Sequence, residues 1–401
     1  MSKMNGGRSV GRYDFDQIVD RRAINASKWN VTEGIIPMSI ADTDFLSPPE
    51  VSEAIRERVA VESYGYSRMT DADYDAILDW IGTHQRQEVP REHLLSTPGV
   101  LYTMRVVMFA LTEPGDRVIV QTPLHTPSIG SAELRRRVPV KNQMKRLPDG
   151  RYTFDLDNLE RCLAEGARVL MMCAPNNPTG RVWTMEELSG LADLVKEYDA
   201  WIVSDEIHRD IVYRGKRHIP ISTLPGMEER AITVFSTSKT FNMGGFHIGS
   251  AIIADPRLRA DVTQAFYEYG HSCGRPSALC IVAQTAAYKH GAGWLEELLE
   301  YLDGNISLAL KYLEGTPLAV FRPDGTFLLW VDCEALGMHT DELKLFMREK
   351  ARIQPAPGHY FDTYQIGEYT GLQHHFRLNI AMPRSLIEEA MDRLRNAVLA
   401  L

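Results

Sequence analysis

The chain has no surplus of basic charge, no long apolar run and no closely spaced cysteines, and each absence closes off a class of function. Its 44 Lys and Arg residues are outnumbered by 53 Asp and Glu, for a formal net charge of −9. Nucleic acid as a main partner calls for positive potential, so none is expected. No segment is long and apolar enough to span a bilayer, which argues against a membrane partner. The five cysteines, Cys162, Cys173, Cys273, Cys280 and Cys333, show neither a Cys-x-x-Cys pair nor metal-ligand spacing. Free thiols in a reducing, cytoplasmic compartment and no metal site are therefore expected. The adjacent His374 and His375 lack a ligand set. Met1 to Arg12 is polar and without an apolar core, so it reads as a flexible arm rather than a signal peptide. With nothing routing the chain for secretion, the sequons at Asn25, Asn30 and Asn305 carry no weight. Repeats, low-complexity tracts and glycine-serine linkers are missing as well.

What is present is a chain of 401 residues, 44% of them hydrophobic, enough for a large core and two domains. Its most informative residue is Lys239. It closes the run Ala231-Ile232-Thr233-Val234-Phe235-Ser236-Thr237-Ser238-Lys239. A β-branched run ending in hydroxyl residues and a lysine predicts a buried strand that delivers an amine to a pocket at its tip. Burying that amine is costly, and desolvation lowers its pKa toward a usable nucleophile. The bland alternative is a lysine that snorkels out at a strand end.

Two further apolar runs end in polar tips. Ala167 to Ala174 leads into Pro175-Asn176-Asn177-Pro178-Thr179-Gly180, and Ala200 to Ser204 leads into Asp205-Glu206. Between them, Thr184 to Lys196 opens with a capping box and has helical spacing. Short strands alternating with helices imply βαβ units, an α/β fold and a parallel sheet. Ligands of such sheets sit beyond the carboxyl ends of the strands, so Asn177, Asp205 and Lys239 converge at one mouth. An amide, a carboxylate and an amine together suit a cofactor with a hydroxyl, a ring nitrogen and an aldehyde.

These residues resemble the fold-type I pyridoxal 5′-phosphate enzymes, class I/II aminotransferase-like, and within them the cystathionine β-lyase (C–S lyase) branch of MalY/PatB-like proteins. The resemblance runs from about Tyr13 to the C-terminus. It rests on Phe15-Asp16, Asp20-Arg21-Arg22, Lys28-Trp29, the run Pro37 to Phe45, and Tyr64-Gly65-Tyr66. It continues through Asn177-Pro178-Thr179-Gly180, Ser204 to His208, Ser238 to Asn242, and Phe376-Arg377-Leu378-Asn379. Order and spacing make the signal; no one tetrapeptide does.

The resemblance implies a role for each matched position. Lys239 carries the cofactor covalently and later shuttles protons at the substrate's Cα. Asp205 faces the pyridine nitrogen and keeps it protonated. Asn177 donates to the phenolic oxygen, a contact shared with Tyr213, for which a core aromatic is the other reading. The run Leu94 to Thr97 reads as a strand, and Pro98-Gly99-Val100 opens a helix to Leu111. The backbone of Gly99 and Val100 then suits the phosphate. Ser236 and Ser238 add hydroxyls, and Tyr64 reaches the phosphate from a neighbouring subunit. Many aminotransferases hold an arginine eight residues after the lysine; here that position is His247. Arg377 is the candidate for the substrate's α-carboxylate, because a guanidinium fork matches it bidentately.

Two positions depart from the family pattern. His125 stands where an aromatic normally stacks on the cofactor ring, so it serves as a stacking substitute or takes part in proton transfer. Ser39 replaces a tryptophan and should open or polarise the substrate side. Both point to a substrate other than plain cystathionine.

The implied architecture is a large domain at 51–290 with a mostly parallel seven-stranded sheet flanked by helices. A smaller α+β domain comprises 291–401 and the N-terminal segment 1–50. Trp294 to Leu313 is patterned as a bridging helix, Gly325 to Asp332 as a strand and Arg384 to Leu401 as a closing helix. A homodimer with active sites at the interface is implied. The expected activity is α,β-elimination of a sulfur-substituted amino acid; aminotransfer to a 2-oxo acid is the alternative. A binding or regulatory protein on the same fold is a third reading, which the intact set of Lys239, Asp205, Asn177 and Arg377 disfavours.

Overall fold

A computed structural model of the protein describes residues 11–125, 136–269, 276–362 and 372–401. Seven strands form the larger sheet. Their order is Leu94–Thr97, Gly249–Ile252, Ala231–Phe235, Trp201–Asp205, Val169–Cys173, Arg117–Thr122 and Val138–Gln143. From Ala231–Phe235 to the Val138–Gln143 edge every pairing is parallel. Gly249–Ile252 runs against both its neighbours. The mostly parallel seven-stranded sheet expected from the sequence is present.

The central strands are apolar throughout because both faces are covered. In Val169–Cys173 all five residues are buried. Val169, Met171 and Cys173 pack among residues of the helices Val100–Leu111 and Pro256–Tyr269. Leu170 and Met172 point the other way, into the helices Leu156–Ala164 and Met185–Glu197. This two-residue alternation threads the strand between two helical layers. The helix Met185–Glu197 begins at the expected capping box. Thr184 Oγ1 accepts the Glu187 N–H at 3.2 Å and the Glu187 carboxylate accepts the Thr184 N–H at 2.9 Å. Such a cap contributes about 1 kcal/mol.

A second sheet has the order Ile36–Met38, Ile353–Pro357, His375–Asn379, Leu328–Asp332 and Ala319–Val320. Leu295, Leu298, Leu302 and Ile306 of the helix Ala292–Leu313 share its core with Ile387, Met391 and Leu394 of the helix Arg384–Leu399. The strand expected from Gly325 starts at Leu328 instead. Thr326 has φ +65°, which interrupts the extended run. Gly325 cannot carry a side chain, since a Cβ would lie 2.7 Å from the Ile211 carbonyl oxygen.

The N-terminal motifs prove to be a fastening. Lys28 is buried and its Nζ lies 2.8 Å from Asp44 Oδ2, while Trp29 Nε1 donates to Asp44 Oδ1 at 2.9 Å. Arg21 reaches Asp42, and its Nε stands 3.6 Å from Asp44. Asn379 Nδ2 then donates to the carbonyls of Ile40 and Asp42 at 2.6 and 2.7 Å. The segment Ser39–Asp42 is thereby held against the second sheet, with its backbone turned toward Lys239.

Candidate active site

At the carboxyl edge of the large sheet lies a cavity of about 810 Å³. Parallel pairing puts the ends of Val169–Cys173, Trp201–Asp205 and Ala231–Phe235 side by side. Reversal of Gly249–Ile252 brings Gly249 opposite Thr97, so Gly99 and His247 arrive at the same edge. Gly249 allows this close approach, since a Cβ there would lie 3.1 Å from the Gly99 Cα and press the two segments apart. Ser39, Gly99, Val100, His125, Asn177, Asp205, Ser236, Ser238, Lys239 and Arg377 all line the cavity.

Lys239 does not sit on the strand itself, as its sequence setting suggested. The strand stops at Phe235, and Lys239 belongs to the helical turn Thr237–Thr240 that follows. Ser236 causes the change: its Oγ accepts the Ser238 N–H at 3.1 Å and caps the new turn. Lys239 Nζ donates to the Ala41 carbonyl at 2.6 Å. Burial pulls its pKa below the ordinary lysine value. Asp42 opposes that, Arg377 adds to it, and Asp205 pulls back upward.

Asp205 is buried, and its Oδ1 accepts the Ile207 N–H at 3.1 Å. Arg377 donates through Nη1 to Asn177 Oδ1 at 2.7 Å and through Nη2 to the Ser39 carbonyl. Its guanidinium carbon lies 4.8 Å from the Phe361 ring centroid, and its Nε has no partner among the described residues. Burial lowers the Arg377 pKa to about 9. A buried cation with no carboxylate beside it among those residues leaves its charge unbalanced, which is expensive unless an anion arrives.

The far end of the cavity is shaped for a larger anion. Gly99 has φ +124°, a conformation closed to most side chains, and a Cβ there would meet nothing within 4 Å. The helix Val100–Leu111 starts beside that opening with no side-chain cap, so its first N–H groups and positive dipole end face the space. Ser236 is less available than its position suggests, since its hydroxyl donates to the Ile248 carbonyl at 2.7 Å.

Tyr213 is a correction. It lies outside the cavity, buried, with its hydroxyl donating to the Thr326 carbonyl at 2.6 Å. The bridge between Val212 and Gly325 turns it away from the Asp205 tip. Tyr64 also lies outside the cavity of its own chain; it is exposed, and its hydroxyl donates to the Val59 carbonyl at 3.3 Å.

His208, Tyr102 and Arg105 line the cavity with polar groups and have no role assigned from the sequence. His208 is buried, with neither ring nitrogen partnered among the described residues. Burial, reinforced by Lys239 and Arg377, holds its pKa well below the usual histidine range. It stands three residues past Asp205, inside a motif already singled out, and that spacing was the available signal. Tyr102 and Arg105, one helical turn apart, line the phosphate-sized end, with the Tyr102 hydroxyl and Arg105 Nε unpartnered among the described residues. His125 lines the cavity too, and burial next to Arg377 and Lys239 drops its pKa to about 3. It is a neutral imidazole at neutral pH, which suits stacking rather than proton delivery.

Among the described residues the lining thus has three cations, Arg105, Lys239 and Arg377, against one carboxylate, Asp205. Unpartnered buried donors and surplus positive charge fit a doubly charged phosphate and an amino-acid carboxylate. The fold and this cavity define a pyridoxal-phosphate-dependent enzyme of fold type I. Residues 33–394 match the family described as aminotransferase class I and II, and the chain belongs to that family.

Its relatives narrow the branch. It is 31% identical to the cystathionine beta-lyase PatB of Bacillus subtilis over 96% of this chain and 100% of that one. Cystalysin of Treponema denticola, solved with pyridoxal 5′-phosphate, superposes with a TM-score of 0.90 at 27% identity, covering 97% and 99% of the two chains. The C-S lyase of Staphylococcus hominis gives 0.88 at 28%, again over 97% and 99%. The cystathionine β-lyase branch that the sequence resembles is the one these proteins represent.

Proposed function

We propose that the protein is a pyridoxal-phosphate-dependent C–S β-lyase, releasing pyruvate, ammonia and a thiol from a sulfur-substituted L-amino acid. The observation that carries this reading is the buried, charge-unbalanced Arg377 guanidinium in one cavity with the Lys239 amine and the Asp205 carboxylate. The relatives named for cystathionine and C–S cleavage support it.

Bound pyridoxal phosphate supplies an electron sink that makes bonds at Cα and Cβ of an attached amino acid labile. Each residue then has a task. Lys239 holds the cofactor covalently when no substrate is present, takes the Cα proton, and returns a proton to sulfur as the Cβ–S bond breaks. Arg377 grips the α-carboxylate in a fork. Asp205 faces the pyridine nitrogen and favours its protonated form. Asn177, whose Oδ1 accepts from Arg377, would have its Nδ2 free to donate to the phenolic oxygen, with His208 as the second group there in place of Tyr213. Gly99, Val100, Ser238, Tyr102 and Arg105 cradle the phosphate, and His125 covers the ring face. Ser39 borders the substrate.

A homodimer in which Tyr64 completes the phosphate site of the neighbouring subunit accounts for its exposure beside Tyr66. In the same reading residues 1–50 join 291–401 in a small domain that closes over 51–290. A cytoplasmic setting agrees with four free cysteines, Cys162, Cys173, Cys280 and Cys333; no helix among the described residues is long and apolar enough to cross a membrane.

Aminotransfer is the second reading, favoured by the description of the matched family. Incubating the holoenzyme with S-substituted cysteines, with and without 2-oxoglutarate, separates the two. Pyruvate and ammonia without any 2-oxo acid are the expected products; turnover strictly dependent on the 2-oxo acid overturns the lyase reading.

A further inference from the structure

A second cavity, of about 380 Å³, adjoins the first, and Ser39 and Tyr360 line both. Its size is at the low end for ligand pockets, roughly 300–1,000 Å³, which suits one arm of a ligand more than a separate molecule. Met347 contributes apolar wall, while Lys344 and Arg348 stand four residues apart on the helix Thr340–Glu349. Lys344 Nζ lies 5.7 Å from the centroid of the Tyr360 ring, so the shared wall of the two cavities carries a cation on its far side. Asp341, also in the lining, is 3.4 Å from Lys344 but almost fully exposed, and among the described residues Arg348 pairs with its neighbour Glu349. Exposed pairs of this kind are weak, so an incoming anion can compete for either cation. At the junction Ser39 presents a small side chain, while its carbonyl is held by Arg377, the proposed carboxylate grip.

We propose that this cavity is the subsite for the sulfur substituent of the substrate, and that it selects an extended apolar arm ending in an acid. The inference rests on the lyase reading and deepens it. Ser39 sets whether the arm can pass, and Lys344 reads the charge at its end.

Three probes test it with the holoenzyme: S-methyl-L-cysteine, S-propyl-L-cysteine and S-(2-carboxyethyl)-L-cysteine. The expected order of kcat/KM is carboxyethyl over propyl over methyl. Ser39→Trp should reduce the ratio of either long probe to the methyl compound by about tenfold, the scale at which a pocket distinguishes added methylenes. Lys344→Glu should reverse the preference for carboxyethyl over propyl while keeping propyl ahead of methyl. Where a probe is not turned over, titrating it against the visible absorbance of the holoenzyme reads the corresponding binding preference. If no probe is eliminated, the lyase reading fails, and the titration still decides the subsite. Ratios left unaltered by both variants, or no preference for the acid in the parent, would overturn it.

Discussion

Asn177 and Arg377 are 200 residues apart in sequence and joined by a 2.7 Å hydrogen bond from the guanidinium to the amide oxygen. The contact ties the second sheet to the loop beyond Cys173 and fixes which way the amide of Asn177 faces. In the proposed site Arg377 would thus orient a donor toward the cofactor while keeping a cation for the substrate.

Arg377→Lys keeps a charge and loses the fork. It should raise KM for the amino acid by about a hundredfold, since charge-assisted hydrogen bonds contribute about 1.5–3 kcal/mol each. Asn177→Ala should instead weaken cofactor affinity by about tenfold, measured by fluorescence titration of the cofactor-free enzyme. Equal effects of the two variants on both constants would contradict the division of labour.

His125 gives the protein an acid-side weakness. Its pKa in the fold, about 3, lies below the ordinary 6.5, so the unfolded chain takes up a proton that the folded one refuses. The stabilisation is complete above about 6.5 and is lost progressively as pH falls from there toward about 3. Between pH of about 7 and 5 the cofactor-free protein should lose about 1 kcal/mol more than a His125→Phe variant, allowing for the partial exposure of His125. Thermal unfolding at the two pH values measures the difference. Equal losses in the two proteins would show that His125 is charged in the fold.

Lys28 matches a family motif, and its contacts in the fold are to the Asp44 carboxylate and the Asp42 carbonyl. Replacing it with Met leaves the Asp44 carboxylate buried with, among the described residues, Arg21 and Trp29 as its side-chain partners. The expected cost is about 3 kcal/mol in denaturant unfolding. Lys28→Met/Asp44→Leu should recover part of it, because removing both charges leaves none unpaired. Loosening Ser39–Asp42 should also disturb the Ala41 carbonyl that Lys239 contacts.

Much of the site was legible because parallel strands end at one edge. Once Val169–Cys173, Trp201–Asp205 and Ala231–Phe235 were recognised, Asn177, Asp205 and Lys239 had to meet. Motif spacing brought in Arg377 from the other sheet. Beyond the strand tips, side-chain direction depends on turns that alternation does not describe. His208 was passed over for Tyr213 for that reason: the backbone turns after Asp205, and the bridge at Val212 carries Tyr213 away. Arg105 was hidden inside an apolar helix, Val100–Leu111, whose pattern reads as core. The helical turn that carries Lys239 followed from one serine side chain, a feature too local for a hydrophobic pattern to show.

Lys239 is not the only deeply set amine in the fold. Lys28 is more completely enclosed, and burial lowers its pKa as well, against the upward pull of Asp44. Reducing the holoenzyme with borohydride and mapping the labelled peptide by mass spectrometry therefore tests the central claim directly. The pyridoxyl group should appear on Lys239 alone, with no label in a Lys239→Ala variant. A label on Lys28 or any other lysine, or a Lys239→Ala variant that retains the bound chromophore and full turnover, would contradict it.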